Sequence, residues 1–227
     1  MRGYYSDKLS ARRLKKCYDI APPRVQQYLK AEINYVLQKV QPEHVVLELG
    51  CGYGRVLAWL VQNARLVIGI DTSLQSLALA RHTLDDQGRC LLLNMDAVRL
   101  AFRDKVFDCV VCIQNGISAF NVNQKKLIRE SVRVTRSGGT VLFSSYADKF
   151  WNERLEWFQR QAEADLLGEI DYTRTGNGII VCKDGFTATT VGPHEFSSLT
   201  AGLDADVDIT EIDESSLFCE ITLHSSR

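Results

Sequence analysis

Up to Ser145, short apolar runs alternate with segments in which apolar residues recur every three or four positions. The runs are typical of strands buried on both faces of a sheet, and the spaced segments are typical of amphipathic helices. This alternation predicts right-handed β-α-β units and therefore a doubly wound, mostly parallel α/β sheet. The predicted strands are 45–49, 66–70, 90–94, 107–113 and 139–145. Helices are predicted from Pro22-Pro23 to Val40 and from near Gly54, Ser73 and Val122.

The pattern changes after Ser145. Residues 148–167 have the apolar spacing of a helix, and residues 170–191 predict a β-hairpin that turns at Gly176-Asn177-Gly178. A short helix is predicted at 194–203, followed by an antiparallel pair of strands at 207–212 and 217–223.

A glycine-rich turn joins the first predicted strand to the following helix. Gly50, Gly52 and Gly54 stand at every second position, and the second strand is followed by Asp71. Because glycine has no Cβ, the backbone at this turn can bend sharply and approach a ligand closely. A carboxylate at the tip of the next strand is placed to accept hydrogen bonds from a ribose. The sequence therefore predicts a nucleoside-cofactor site at the carboxyl edge of the sheet.

The glycine spacing separates two classes of cofactor. A dinucleotide site has the pattern G-x-G-x-x-G, but Arg55 stands where its third glycine would be. The segment Glu48 to Gly54 (ELGCGYG) instead resembles the first motif of class I S-adenosylmethionine-dependent methyltransferases. An acid is tolerable there because this cofactor has an ammonium and a sulfonium in place of a pyrophosphate. Its carboxylate is expected to meet amide N–H groups near the start of the following helix.

The resemblance extends over about residues 40–145 and implies a set of cofactor contacts. Each contact falls where a predicted strand ends, which is the ligand edge of an open α/β sheet. For Asp96 a turn-capping role is the alternative, since Asp is common in turns. The resemblance places Glu48, Gly50, Cys51, Gly52 and Gly54 around the methionine part, Asp71 and Thr72 at the ribose, and Met95, Asp96 and Ala97 at the adenine.

Gln114 and Asn115 follow the fourth predicted strand, where similar enzymes place residues that face the methyl group. Their amides offer donors and acceptors but no base. Enzymes that methylate amino groups of nucleic acid bases typically carry Asn/Asp-Pro-Pro-aromatic here. This chain departs from that pattern, which favours a small-molecule substrate. We therefore expect Gln114 to contact the cofactor and treat Asn115 as a candidate catalytic residue.

Methyl transfer from a sulfonium is an in-line displacement that depends mainly on alignment, and it needs a base only when the nucleophile arrives protonated. His194, at the start of a late predicted helix, is one candidate base. Tyr18 and Tyr146 are candidates for the pocket, as a cofactor contact and a catalytic residue respectively, because aromatic rings attract a sulfonium. Helical spacing makes core packing the better interpretation for Trp151 and Phe158. Aromatic residues are concentrated before and after the cofactor motifs, at Tyr4, Tyr5, Tyr18, Tyr146, Phe150, Trp151, Trp157 and Phe158.

Composition narrows the class of protein further. The 227 residues suit one α/β domain, and no apolar run reaches the roughly 20 residues that span a bilayer. Seven cysteines without framework spacing favour a reducing cytoplasm. Cys109 and Cys112 lie three positions apart in a predicted strand, so they should face opposite sides and act as apolar filler, and no metal site is expected.

The sequence thus predicts a cytoplasmic, S-adenosylmethionine-dependent methyltransferase of a small molecule. The basic N-terminal segment leaves RNA or protein methylation as an alternative, with nucleic acid the less favoured partner. A protein that binds S-adenosylmethionine or S-adenosylhomocysteine without turnover is a further alternative. The expected single domain has a seven-stranded sheet, with an arm at 1–40, a cofactor-binding core at 41–147, a cap at 148–190 and closing elements at 191–227.

Overall fold

The computed structural model describes Tyr4, residues 8–84 and residues 88–225. Tyr5, one of the clustered aromatic residues noted in the sequence, lies outside these ranges. The strands are β1 (Val45–Leu49), β2 (Leu66–Asp71), β3 (Cys90–Asn94), β4 (Phe107–Cys112), β5 (Thr135–Tyr146), β6 (Ile180–Val181), β7 (Thr187–Ala188), β8 (Ala205–Ile212) and β9 (Ser216–Leu223). The helices are α1 (Ala11–Asp19), α2 (Pro23–Lys39), α3 (Leu57–Asn63), α4 (Leu74–Thr83), α5 (Gly116–Ala119), α6 (Gln124–Val134), α7 (Trp151–Glu163) and α8 (Pro193–Thr200).

Seven of the strands form one sheet in the order β3-β2-β1-β4-β5-β9-β8. The first five in this order are parallel, and β9 runs antiparallel to both β5 and β8. The strand order reverses between β1 and β4, which is where open α/β sheets form a ligand crevice at their carboxyl ends. The predicted seven-stranded, mostly parallel sheet is confirmed.

The central strands are buried on both faces, which explains their continuous apolar runs. On one face Val46, Cys109 and Val111 pack against α2 and α3, and on the other Leu47 and Cys112 pack against α6 and α8. The two cysteines of the C-x-x-C sequence therefore lie in different cores. All seven cysteines of the chain are buried and free.

The N-terminal arm and the segment after β5 share a third apolar cluster. Leu9 and Cys17 from the arm pack there with Trp157 and Phe158 of α7 and Phe186 near the small hairpin. The indole Nε1 of Trp157 donates a hydrogen bond to the Cys17 carbonyl oxygen at 2.8 Å. Arm and cap thus form one packed unit over the carboxyl edge of the sheet.

The hairpin prediction is confirmed at its turn and at an antiparallel bridge between Ile170 and Cys182, but the residues between them do not form continuous strands. Gly176 and Ile179 exchange two backbone hydrogen bonds of 2.9 Å, and the two residues between them, Asn177 and Gly178, have φ angles of 50° and 79°. The residues before this turn do not extend as a strand, because the backbone and side chain of Asp171 hold residues 171–175 in a second turn. The short strands β6 and β7 pair instead around residues 182–186.

Within the described ranges, none of the helices has both the length and the apolar character that crossing a membrane requires.

Candidate functional site

A cavity of about 720 Å³ lies at the carboxyl ends of the parallel strands. Its floor is the glycine turn after β1, and the residues that follow β2, β3 and β4 form one wall. The arm and α7 close the opposite side through Leu9, Leu14, Trp157 and Gln161. The predicted site residues that line the cavity are Tyr18, Glu48, Gly50, Cys51, Gly52, Asp71, Thr72, Met95, Asp96, Ala97, Gln114 and Tyr146.

The glycine turn is built from left-handed backbone. Gly50 and Gly52 have φ angles of 69° and 55°, which side-chain-bearing residues rarely adopt. A Cβ on Gly50 would also meet the ring of Phe120, so the backbone angle and the packing both favour glycine at this position. Gly54 does not line the cavity. Its Cα instead packs against α4, where a Cβ would meet Cβ of Ala80 at 3.2 Å.

The amide N–H groups of this turn are largely used within the protein. The amides of Cys51 and Gly54 donate to the carbonyl oxygens of Ile70 and Cys51, both at 2.9 Å. The Gly52 amide donates to the Asp71 carboxylate, also at 2.9 Å. The helix that follows, α3, has only 7 residues. The carboxylate of the cofactor is expected to meet amide N–H groups at this turn. The amides of Cys51, Gly52 and Gly54 do not fit this expectation, because each already donates to a group of the protein.

Asp71 connects the glycine turn to the start of α4. Its Oδ2 accepts from the Gly52 amide and its Oδ1 accepts from the Ser73 amide at 2.7 Å. Burial raises the pKa of Asp71, and these two hydrogen bonds oppose the rise. The carbonyl oxygen of Asp71 also accepts from Asn94 Nδ2 at 2.9 Å, which ties the end of β2 to the end of β3.

Asp96 makes the turn cap and also lies at the cavity. It lines the cavity between Met95 and Ala97, and its Oδ1 accepts from the Val98 amide at 3.0 Å. The turn cap therefore fixes the orientation of this carboxylate without removing it from the cavity.

Glu48 is 5% exposed and points into the cavity from β1. Its Oε2 is buried and has no hydrogen-bond partner among the described residues. Burial raises the pKa of Glu48 to about 8, and the nearby Arg55 lowers it. A buried carboxyl oxygen without a donor is costly, and a cationic ligand group would satisfy it.

Gln114 and Asn115 form a left-handed turn after β4, with φ angles of 57° and 58°. The Gln114 amide N–H is shared between Glu32 Oε2 at 3.1 Å and Ser144 Oγ at 2.8 Å. Its side chain lines the cavity, and its Nε2 is buried without a partner in the described part of the chain. Such consecutive left-handed residues persist only where surrounding contacts hold them, and they are frequent at functional sites.

Two catalytic candidates from the sequence do not line the cavity. The Asn115 side chain accepts from Ser145 Oγ at 3.0 Å and donates to the Thr189 carbonyl oxygen at 2.8 Å, so its amide connects β5 to the end of the cap. His194 is exposed at the start of α8, away from the cavity. Neither side chain is placed to act on a ligand bound there.

Tyr146 and Tyr18 do lie at the cavity. The Arg154 guanidinium lies 4.6 Å from the Tyr146 ring centroid, and the Arg55 guanidinium lies 4.9 Å from that of Tyr18. Burial raises the pKa of Tyr146 and raises that of Tyr18 to about 12. Both hydroxyl groups are therefore protonated at neutral pH.

Sequence reasoning missed several residues at this site. Phe120 and Gln161 line the cavity, and the fully buried Glu32 holds the Gln114 turn from behind. A signal for Glu32 existed, because it is a charged residue within the apolar face of α2. Arg55 was noted only because it stands where a dinucleotide site needs glycine.

Comparison with known proteins agrees with this geometry. Residues 46–139 match the methyltransferase domain family. Methyltransferase GfsG from Streptomyces halstedii is 33% identical over 106 residues, which are 45% of this chain and 37% of that protein. The probable tRNA methyltransferase 9B of Mus musculus is 29% identical over 136 residues, covering 59% of this chain and 27% of that protein. The chain thus spans less than half the length of these relatives.

The fold is also shared with solved structures. The PH0226 protein from Pyrococcus horikoshii OT3 superposes with a TM-score of 0.65 over 90% of this chain and 93% of that one, at 19% identity. At this identity the likeness concerns the fold. The matched domain includes the glycine turn, Asp71, Asp96 and the turn after β4. Residues 46–139 thus match a methyltransferase domain, and the fold of the chain is that of S-adenosylmethionine-dependent methyltransferase structures, which supports a class I S-adenosylmethionine-dependent methyltransferase family.

Proposed function

We propose that the protein binds S-adenosylmethionine in the cavity and catalyses transfer of its methyl group to a nucleophile on a small molecule. One observation carries this proposal. The glycine turn, the unpaired carboxyl oxygen of Glu48 and the carboxylate of Asp71 line one cavity at the strand-order reversal of a methyltransferase-type sheet.

The side chains at this edge fit the cofactor. Glu48 Oε2 would accept a hydrogen bond from the α-ammonium group. Each Asp71 oxygen accepts one backbone amide and keeps acceptor capacity for a ribose hydroxyl. Asp96 would accept from the adenine amino group, beside Met95. The cavity volume of about 720 Å³ lies within the range of small-ligand sites.

When bound, the cofactor supplies a methyl group on a positively charged sulfur. The role of the protein would be to align the nucleophile and to exclude water. Gln114 and Tyr146 lie at the strand ends, and α1 and α7 lie above them. The Tyr146 hydroxyl stays protonated because burial raises its pKa, so it would orient a substrate and not act as a base. We therefore propose a nucleophile that reaches the site unprotonated.

The covering of the cavity supports a small substrate. The arm and the cap pack on each other through Leu9, Cys17 and Trp157, and the same residues line the cavity. An aromatic and apolar enclosure of this kind suits a compact organic molecule. We also propose that the protein acts as one unit in a reducing compartment such as the cytoplasm, with residues 1–40 as arm and 148–190 as cap.

RNA is the second candidate substrate, because one relative is named as a probable tRNA methyltransferase. Incubation with methyl-labelled S-adenosylmethionine and either total tRNA or a small-molecule extract separates the two. Label in the extract alone supports the proposal, whereas label in tRNA with steep loss of activity at higher salt favours RNA.

Isothermal titration calorimetry tests cofactor binding directly. We expect micromolar binding of S-adenosylmethionine and S-adenosylhomocysteine and no binding of NAD. Asp71→Ala should weaken both by about 10- to 100-fold, because it removes hydrogen bonds to a charged acceptor. The exposed Asp206 does not line the cavity, and Asp206→Ala is the matched control. Absence of binding, or a preference for NAD, would overturn the proposal.

A further inference from the structure

Arg55 is the one cationic side chain among the described residues that line the cavity. The other charged lining residues are the carboxylates Glu48, Asp71 and Asp96. The Nε and Nη2 atoms of Arg55 are buried, and neither has a hydrogen-bond partner in the described ranges. An arginine placed in this way still offers donors to a ligand.

The position of Arg55 is fixed by a contact that uses none of its N–H groups. Its guanidinium lies 4.9 Å from the ring centroid of Tyr18, and the ring of Tyr53 lies 6.0 Å from that of Tyr18. No described carboxylate lies within ion-pair distance of Arg55, although Glu48 shares the cavity. The stacked arrangement therefore holds the guanidinium in place while its Nε and Nη2 donors stay available.

A second unpaired donor lines the same cavity. Gln114 Nε2 is buried and without a partner among the described residues. The left-handed turn that presents Gln114 is held by Glu32 and Ser144. The amides of Cys51, Gly52 and Gly54 are meanwhile used inside the protein and supply no alternative donors for an anion.

We propose that Arg55 and Gln114 Nε2 form a subsite for a carboxylate on a molecule bound in the cavity. Guanidinium and amide N–H groups together match the two oxygens of a carboxylate, and hydrogen bonds to an ionised acceptor are the stronger kind. The inference rests on the proposed function and goes beyond it by assigning a charge to the ligand. Two sources can supply the carboxylate: the amino-acid end of the cofactor, or an acidic substrate whose apolar part lies against Tyr146, Trp157 and Phe158.

The first arm of the test addresses the cofactor. S-adenosylmethionine and its decarboxylated form are titrated into the native protein and into Arg55→Gln. If the cofactor supplies the carboxylate, the substitution lowers the affinity for S-adenosylmethionine at least tenfold. The affinity for the decarboxylated form should change less than twofold. Arg129→Gln, at an exposed arginine of α6 away from the cavity, is the matched control and should change neither affinity.

The second arm addresses the substrate. Protein saturated with S-adenosylhomocysteine is titrated with phenylacetate and with phenylacetamide, a neutral molecule of the same shape. If the substrate supplies the carboxylate, phenylacetate binds at least tenfold more tightly than the amide, and Arg55→Gln removes this difference. Arg55→Lys keeps the charge but loses the planar donor set, and it should retain part of the preference.

A selective loss of affinity on Arg55→Gln in either arm supports the subsite and identifies the molecule that supplies the carboxylate. The proposal is wrong if Arg55→Gln weakens neither S-adenosylmethionine nor phenylacetate selectively, and this includes the case in which phenylacetate does not bind. Failure of the proposed function gives a different result, since S-adenosylmethionine and its decarboxylated form would then both fail to bind the native protein. Should Arg55→Gln not fold, Arg55→Lys and Gln114→Leu test the same two arms.

Discussion

Glu48 is the side chain whose ionisation should be most visible in ligand binding. Burial raises its pKa to about 8, so most of its population is neutral in the free protein at pH 6. A ligand with an ammonium group requires the charged form, and binding should therefore release a proton. We expect the affinity for S-adenosylmethionine to rise between pH 6 and pH 7.5, by less than about tenfold per pH unit.

Titration calorimetry in phosphate and in Tris at pH 6.5 measures the released proton, because the two buffers differ in ionisation enthalpy. The Glu48→Gln variant cannot release this proton. Its affinity for S-adenosylmethionine should therefore change little between pH 6 and pH 7.5. An equal pH dependence in native protein and variant would assign the effect to another group, and the buried Asp71 would be the next to examine.

The same carboxyl predicts how stability depends on pH. A folded-state pKa of about 8 lies above the ordinary value of 4.5, so the native state holds a proton that the unfolded state loses in this window. The free energy of unfolding of the ligand-free protein should therefore fall as pH rises from about 4.5 to 8. Burial raises the pKa of Glu32 as well, so Glu32 contributes in the same direction.

Urea denaturation at pH 5, 6.5 and 8 checks this prediction. Glu48→Gln should show a smaller fall in the free energy of unfolding between pH 5 and pH 8 than the native protein. A fall of the same size in both proteins would contradict the prediction for Glu48.

Helix α7 depends on one buried cation for its position in the cap. Arg154 is 1% exposed, and it donates to the carbonyl oxygens of Gly178 at 2.9 Å and Ala188 at 3.1 Å. Replacing it with methionine would leave these carbonyls without their donors, so we expect a loss of about 2–4 kcal/mol in the free energy of unfolding. Urea denaturation measures it.

Arg160→Met on the same helix is the control. Arg160 is partly exposed, and its ion pair with Glu156 is of the i, i+4 kind, so its loss should cost about 0.5 kcal/mol or less. Equal losses in the two variants would mean that the Arg154 hydrogen bonds do not stabilise the cap.

The strands and the ligand edge were predictable because their signals are local. Each parallel strand is built around a short apolar run, and Asp71 and Asp96 stand within two residues of the ends of two such strands. The cap was less predictable, because residues 171–175 have strand-like composition but are turned by hydrogen bonds from the Asp171 side chain. A side chain that competes with the backbone for partners changes a strand into a turn without altering the apolar pattern.

The partners of polar side chains were not predictable, because they depend on contacts distant in sequence. Asn115 stands beside Gln114, yet its amide bonds Ser145 and Thr189 while Gln114 lines the cavity. Nothing in one sequence separates these neighbours, since either amide suits either role. His194 was considered because it is one of few histidines, and its exposure follows from the way α8 packs.

The fold buries the cysteine thiols of the whole chain. All seven cysteines are free and buried, and Cys17 and Cys51 also line the cavity. We expect the native protein to react with Ellman's reagent far more slowly than the unfolded protein, in which all seven thiols react. S-adenosylhomocysteine should slow the native reaction further, because it would cover Cys51 and stabilise the packing of the arm on the cap.

Reaction time courses with and without S-adenosylhomocysteine test this expectation, and Cys51→Ser identifies the contribution of the cavity. Rapid reaction of several thiols in the native protein would contradict the buried arrangement. Reaction at a rate that does not depend on S-adenosylhomocysteine would show that Cys51 and Cys17 react by another route.

Helix α2 is held in place by contacts with residues 213–220, which lie far from it in sequence. Glu32 of α2 accepts a hydrogen bond from Ser216 Oγ at 2.6 Å, Arg24 pairs with Asp213, and Lys39 pairs with Glu220. Because Glu32 also holds the strained turn at Gln114, that turn lacks its full support until β9 is in place. During synthesis on the ribosome, the complete Rossmann-like motif sequence therefore emerges well before the site is finished. A nascent chain that stops short of Ser216 should carry the cofactor motifs and still bind poorly.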